Sequence, residues 1–427
     1  MEPTRETFGN IPPSSQHLFY ALAVVAGLVF LYGLWRRFRL WRQGLGGVGG
    51  VRVLLASRMA RLKPGLRRLL IDGLGQKRVR GRGAAGRMHI VLFAGFMMLL
   101  LGTTLLEIDH LAAMISPNFS FHHGTYYVVY EFTLDVFGLL FLAGCGYFLW
   151  RRTRRPASVG HRATDWWVLG MFIAIGVTGY LVEGLRIVWQ RPAGAGAHCS
   201  PVGLWLAQGL FSGLDEPGAR AAHFAGWWLH AGLVFGFFAA IPFTRLLHIV
   251  AGPLHLFFAR PGLGQLLPVT MESVEATGRI GVSEIRHLTP RQLLSLDACM
   301  ECGRCEDACP AFTTGKPLSP KKVVQDLKRL MEDVLTLPPG APAPRALHDD
   351  TIGAETLWAC TACSACVDVC PVRIDQLTLI LDLRRHLVAE GGLSGTAATA
   401  LRRMQSAANP WGLPADERAR WTEALNA

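Results

Sequence analysis

Eight of the ten cysteines in this 427-residue chain stand in two runs, "CMECGRCEDACP" beginning at Cys299 and "CTACSACVDVCP" beginning at Cys360. Both read C-x2-C-x2-C-x3-C-P. Three thiolates at that spacing wrap the irons of a cubane cluster, and in two-cluster ferredoxins the fourth, just before the proline, ligates the neighbouring cluster. The expected ligand sets are therefore crossed. Cys299, Cys302, Cys305 and Cys370 would hold one [4Fe-4S] cluster, and Cys360, Cys363, Cys366 and Cys309 the second. Pro310 and Pro371 restrict the backbone where the chain leaves each run. Zinc would call for two C-x2-C pairs per ion rather than four cysteines in a row before a proline, twice. Only Cys145 and Cys199 lie outside the runs, which argues against a secreted disulfide framework.

Histidines form the second set of chemistry-bearing residues, because imidazoles within apolar stretches are uncommon and generally functional. His230 and His248 are 18 residues apart in one apolar stretch; on a continuous helix that is five turns, one face and about 27 Å. His89 and His110, 21 residues apart, also share a face on an earlier stretch. Two helices, each offering one imidazole per leaflet, can hold b-type haems by axial ligation. The expected inner pair is His89 with His248. His230 would form an outer pair with His110, with His122 and His123 as alternative partners. His255, close to Pro253, reads as structural. Glu131, Asp135 and Glu183 fall near the outer ends of their apolar stretches, where a quinone site would need carboxylates to exchange protons; simple exposure at the interface is the competing reading.

The elements that must position these residues are helical. Apolar segments able to cross a bilayer run from about 17–35, 88–107, 127–150, 166–182 and 224–250, and each can satisfy its backbone in lipid only as a helix. The link between the first two is rich in Arg and Lys, with Asp72 as its single acid, and "RRTRRP" follows the third. The 107–126 stretch has no Lys or Arg. By the positive-inside rule the N-terminus is outside and the cysteine runs are cytoplasmic. Trp166, Trp167, Trp227 and Trp228 sit at interfacial positions. The first apolar run has no small-residue cleavage site after it and reads as an uncleaved anchor.

The formal charge of +12 comes with no nucleic-acid recognition motif, and its basic residues crowd beside apolar runs. Membrane lipid is the expected counter-charge, not nucleic acid. In the basic link, "VRVLLASRMARLKPGLRRLL" suits a surface-lying helix interrupted at Pro64, or a solvated linker. Between the cysteine runs, "LSPKKVVQDLKRLMEDVL" predicts a helix opened by Ser319 and Pro320, and "IDQLTLILDLRRHLV" predicts another after the second run. "LPPGAPAP" at 337–344 is a loop. The expected fold is all-α. A five-helix transmembrane bundle (1–260) precedes a ferredoxin-like two-cluster domain (261–390) and a polar, Ala-rich tail or linker (391–427).

These features resemble known proteins. The five spans with the His230/His248 spacing resemble the cytochrome b (gamma) subunit of respiratory nitrate reductase. "CMECGRCEDACP", "LSPKKVVQDLKRLM", "LWACTACSACVDVCPVRI" and "NPWGLP" are similar to the iron-sulfur domain of heterodisulfide reductase-related proteins. The fusion resembles bacterial membrane oxidoreductases linking electron-transfer flavoprotein to menaquinone. That resemblance implies a chain in the inner membrane of a prokaryote carrying two [4Fe-4S] clusters and one or two haem b groups. Reduced electron-transfer flavoprotein would be the donor and a quinone, menaquinone in the family, the acceptor. Two departures stand out. Such relatives continue into CCG domains, and no CCG occurs here, which implies a relay subunit with a CCG-bearing partner as the alternative. Ten residues after His89, where the nitrate reductase subunit has a second histidine, stands Leu99.

Overall fold

The computed structural model describes the chain except for residues 1–3, 5–6, 46–57, 82, 117–119, 155–162, 193–195, 197, 261, 263, 265–267, 339–340, 342, 415 and 426–427, and the side chains of 58–61, 418–419 and 424–425. Arg52, the end of "RRTRRP", the first seven residues of the expected surface helix and part of the 337–344 loop thus lie outside the described residues. The fold is 73% helical, without strands among the described residues.

Five helices are long and apolar enough to cross a membrane. They are α1 (Pro13–Trp41), α3 (Gly83–Ile115), α4 (Gly124–Thr153), α5 (Ala163–Gln190) and α7 (Glu216–Ala240). Between α1 and α3 lies α2 (Arg58–Arg68), continued by a π-helical turn at Leu69–Leu74. The sequence places an interruption at Pro64, yet α2 runs through it; a proline removes one ladder donor and need not end a helix that packs elsewhere. A short α6 (Pro201–Gln208) fills the connection between α5 and α7.

In order around the bundle, α3 packs on α4, α4 on α5, α5 on α7 and α7 on α1. Lipid supplies no hydrophobic drive between helices, so close approach at small residues matters. A Cβ on Gly95 of α3 would stand 2.7 Å from Phe141 Cβ and 2.8 Å from the Phe137 carbonyl oxygen of α4. Gly144 of α4 approaches Leu92 in the same way. At mid-depth, Phe96 of α3 meets Phe237 of α7 at a ring separation of 6.0 Å, with Phe172 of α5 5.3 Å from Phe237.

The fifth span differs from the sequence expectation of 224–250. It begins at Glu216, and its helix gives way to 3-10 turns at Ile241–Phe243 and Arg245–Leu247, separated by extended Thr244. His248 then opens a separate helix, α8 (His248–Phe258). Pro242 cannot donate to the ladder, and Thr244 Oγ1 caps the restart by accepting from Leu246 N. His230 and His248 are therefore on different helices, and the five-turn argument for their common face does not apply.

The C-terminal domain is built on α9 (Pro290–Ala298), α10 (Pro320–Leu335) and α11 (Gln376–Ala389). As the pattern predicts, Ser319 caps α10 by accepting from Lys322 N, and Val323, Val324, Leu327, Leu330 and Met331 are buried. The domain is seated directly on one end of the bundle, here called the proximal end. Leu40 and Trp41 of α1 share its core. Asp297, 1% exposed, accepts from Trp41 Nε1 at 2.8 Å and pairs with Arg37 at 3.4 Å and Lys328 at 3.2 Å. Such compensation is what a buried carboxylate requires.

Two outcomes are expected. Gly95→Ala forces α3 and α4 apart and should lower thermal stability of the detergent-solubilised protein by about 1–3 kcal/mol. Gly146→Ala, whose Cβ meets nothing within 4 Å, should not. The second concerns His255, fully buried and donating to the Arg373 carbonyl across the domain junction. Burial, then Arg291, pushes its imidazole down from 6.5 to about 3. The unfolded chain takes up this proton below pH 6.5 while the folded chain resists it, so the stabilisation is complete above 6.5 and is lost as pH falls toward 3. His255→Gln should flatten the acid-side fall in melting temperature; an unchanged slope would contradict this.

Candidate redox centres

The two cysteine runs fold alike. Each places left-handed residues at matching positions, Glu301 and Gly303 in the first run, Ala362 and Ser364 in the second. Each pair leads into a four-residue helix, Arg304–Asp307 or Ala365–Asp368. Left-handed turns of this kind aim backbone N–H groups inward and make anion-binding concavities. Ala362 N donates to Cys360 Sγ at 3.5 Å and Ile374 N to Cys370 Sγ at 3.3 Å.

Cys299, Cys302, Cys305 and Cys370 line one hollow together with Arg304 and Lys321. The charge neighbours of Cys305 are led by Cys299 and Cys370, with Cys302 next and Cys366 of the second group last. Those of Cys366 are Cys360, Cys309 and Cys363. Among the described residues no three His, Cys, Asp or Glu side chains stand in ligating geometry; the thiols are gathered rather than converged. Burial pushes the Cys366 and Cys370 thiols up to about 12 and raises Cys305 and Cys299 as well. Thiols in two groups of four, with Cys305, Cys309, Cys366 and Cys370 buried and N–H groups turned toward sulfur, fit a centre that displaces thiol protons when it binds.

The histidines divide into placed and unplaced pairs. His89 lies within electrostatic reach of His248 and of Arg304, so the proximal pair adjoins the first cysteine hollow. His248 Nδ1 donates to the Arg245 carbonyl at 2.6 Å, and His89 Nδ1 is buried with no partner. His230 Nδ1 meets Thr178 Oγ1 at 2.9 Å; the hydroxyl already donates to the Ala174 carbonyl at 2.7 Å, so the ring donates. Anchoring at Nδ1 orients an imidazole and leaves Nε2 for iron. His89 and His248 fit a b-type haem at the proximal end. Toward the distal end, His110 packs on Phe8 at 4.9 Å, and Phe8 also touches Trp227, one turn before His230. His122 is 1% exposed and paired with Asp109 at 3.4 Å, and His123 is exposed.

Glu131, Asp135 and Glu183 come together at the distal end, and the first two are buried rather than set at an exposed interface. Arg186 binds Glu183 bidentately through its Nη2 and Nε at 2.6 and 3.0 Å and lies 3.9 Å from Glu131. Ser200 Oγ donates to Glu131 at 3.3 Å and Val202 N to Asp135 at 3.1 Å. Two of the three carboxylates thus share one guanidinium, and the third is held by a backbone N–H. Sequence reasoning missed Arg186, although an arginine three residues after Glu183 in an apolar helix is itself a signal. It also missed Thr178, Arg304 and Arg245. Arg245 pairs with Asp165 at 3.0 Å and with Glu301 at 2.8 Å, contacts between segments that carry no local signature.

Comparison with known proteins identifies two modules. Residues 88–263 match the nitrate reductase gamma subunit model and residues 295–374 the 4Fe-4S dicluster domain model. The chain is 30% identical to an EtfAB:quinone oxidoreductase of Syntrophomonas wolfei, over 99% of this chain and 61% of that protein. It is 32% identical to a probable membrane-anchored ferredoxin of Chromohalobacter salexigens, over 96% of this chain and 58% of the relative. One component of the dihydromethanophenazine:CoB–CoM heterodisulfide reductase of Methanosarcina thermophila is 26% identical over 56% of this chain and 90% of its own length. The chain thus spans about three fifths of the length of the first two. No solved structure matches.

Spectroscopy of cysteine variants tests the grouping. Cys302→Ser and Cys370→Ser should perturb the same iron-sulfur paramagnetic signal, and Cys363→Ser and Cys309→Ser the other, each variant losing roughly half the non-haem iron. Cys309→Ser affecting the signal of Cys302→Ser alone would overturn the crossed sets.

Proposed function

Because the chain joins a nitrate reductase gamma-type membrane domain to a 4Fe-4S dicluster domain in one multi-pass membrane protein with an electron-transfer role, we propose that it passes electrons between a cytoplasmic donor, reduced electron-transfer flavoprotein, and a membrane quinone of the menaquinone type. The observation that carries this reading is contiguity. Arg304, in the wall of the first cysteine hollow, is also within electrostatic reach of His89, which neighbours His248. When bound, clusters and haem supply one-electron carriers.

The residues of the chain then have separate tasks. The crossed cysteine sets hold two clusters on the side where the Arg- and Lys-rich links lie, which the positive-inside rule assigns to the cytoplasm. His89 and His248 present imidazoles for a proximal haem, His248 oriented by the Arg245 carbonyl. His230, oriented by Thr178, serves a distal haem, with its partner among His110, His122 and His123. Glu131, Asp135 and Glu183, with Arg186 fixing two of them, hold and release protons for quinone chemistry near that end. The similarity to EtfAB:quinone oxidoreductase supports the donor and acceptor classes.

A second reading has one specific support. Similarity to two different components of methanogen heterodisulfide reductases favours a relay role in which substrate chemistry resides on a CCG-bearing partner. Purified chain in nanodiscs, assayed with reduced electron-transfer flavoprotein and a menaquinone analogue, separates the two. Turnover by the chain alone supports the first, and strict dependence on a co-purifying protein supports the second. In the active preparation Glu131→Gln should lower quinone-linked turnover by about 10²-fold with haem absorbance unchanged. Metal-replete protein with no iron-sulfur paramagnetic signal and no protohaem spectrum would defeat both.

A further inference from the structure

Under the proximal end of the bundle lies an open hollow of about 640 Å³, walled by the link that precedes α3 and by the 368–373 segment of the second cysteine run. Its lining carries five cations, Arg67, Arg68, Lys77, Arg78 and Arg373, against two acids, Asp72 and Asp368. Some of that charge is committed. Asp72, 5% exposed, pairs with Arg373 at 2.8 Å and Arg78 at 3.9 Å. Arg78 further donates to the Asp368 carbonyl at 2.5 Å and the Cys370 carbonyl at 3.3 Å, and Arg68 to the carbonyls of Leu256 and Phe257. These bonds fix the walls. Arg67 and Lys77 are exposed at the rim and have no carboxylate partner among the described residues.

The surroundings say what kind of anion belongs there. The hollow reaches Gly81, two residues before α3 begins, so it opens where the chain enters the apolar bundle. Beside it, Leu62, Leu66, Leu70 and Leu74 recur every four residues and are 42%, 46%, 62% and 58% exposed. A helix with exposed leucines along its length and cations next to them is the pattern of a segment lying in a membrane interface. An acidic protein would leave those leucines in water; a lipid covers them.

We propose that this hollow binds the phosphate headgroup of an anionic phospholipid, with the leucine stripe of the link set among its acyl chains. The Arg67 guanidinium and the Lys77 ammonium at the rim supply charge-assisted donors suited to phosphate oxygens. Because the opposite wall belongs to the second cysteine run, the bound lipid joins the C-terminal domain to the bilayer at a place separate from Asp297 and Arg245. The inference rests on the membrane assignment and not on the electron-transfer reading.

Native mass spectrometry of the full, cofactor-loaded chain, released from nanodiscs of phosphatidylcholine with or without phosphatidylglycerol, tests it. The wild type should retain phosphatidylglycerol in preference to phosphatidylcholine. Arg67→Gln with Lys77→Gln should weaken that retention by about tenfold or more, as loss of two surface cations implies, while Arg67→Lys with Lys77→Arg retains it. Haem absorbance and iron content, unchanged in both variants, report that the fold is intact. Three results overturn the proposal: equal retention by the Gln variant, displacement of the lipid by inorganic phosphate at millimolar concentration, or loss of an acidic protein partner by the Gln variant with lipid retention unaltered.

Discussion

The arrangement of the whole molecule depends on cations from the proximal ends of the membrane helices neutralising carboxylates beside and within the first cysteine run. Asp297, two residues before Cys299, is held by Arg37 and Trp41 of α1. Glu301, next to Cys302, is held by Arg245 at the break after α7. Asp297 is the fully buried member, and Lys328 and Trp41 share its compensation with Arg37; a buried carboxylate left without such partners is strongly destabilising. Arg245 serves more than one element. Its side chain joins Glu301 to Asp165 at the start of α5, and its carbonyl accepts the hydrogen bond from His248 Nδ1–H. One residue therefore sets both the cysteine loop and the imidazole, so their relative position follows from a few bonds rather than from the packing of two independent domains.

Polar groups are concentrated at both ends of the bundle, and the layer between is aromatic. Phe96, Phe141, Phe172 and Phe237 pack ring to ring, with centroids 5.3 to 6.1 Å apart. Packed phenyl rings offer a proton neither donor nor acceptor. At the distal end, by contrast, Glu131, Asp135, Glu183 and Arg186 are linked to Ser200, Gln190 and the start of α6. A buried polar network of this kind is expensive unless nearly every member is paired, and the pairing found there is dense. The clustered carboxylates are thereby confined to the distal end, whereas the proximal end is occupied by interdomain ion pairs.

What could be read from sequence was local. The spacing of the cysteine runs, the cap and apolar positions of Pro320–Leu335 and the number of long apolar helices all repeat within a few turns, and the fold has them where the pattern puts them. The geometry of His230 and His248 was not legible in the same way, since it assumed an unbroken helix through Pro242. That proline was visible, but whether it bends or breaks a helix depends on what can satisfy the freed groups, here Thr244. Pro64 shows the opposite outcome on the same chemistry. Arg37 and Asp297 are 260 residues apart, and Arg245 and Glu301 56. No periodicity connects such pairs, so the contacts that seat one domain on the other emerge only in three dimensions.

The two cysteine loops share a backbone but not an environment, and this asymmetry bears on the order in which they act. In the first, Met300, Glu301 and Cys302 are only partly exposed and Gly303 is buried, since Arg245 and the bundle end cover them. In the second, Thr361, Ala362 and Cys363 are all exposed. Duplication of the motif alone would give no reason for the difference; the seating of the domain on the membrane helices does. Under the proposed function, a soluble donor can approach only a centre that reaches the surface, and a membrane acceptor is served by the centre nearest His89 and His248. The exposed second loop is then the side of entry and the covered first loop the side of exit. Crossed ligation gives the arrangement a further consequence. Cys370 from the second run would belong to the inner centre and Cys309 from the first to the outer one, so neither loop could move without disturbing both sites.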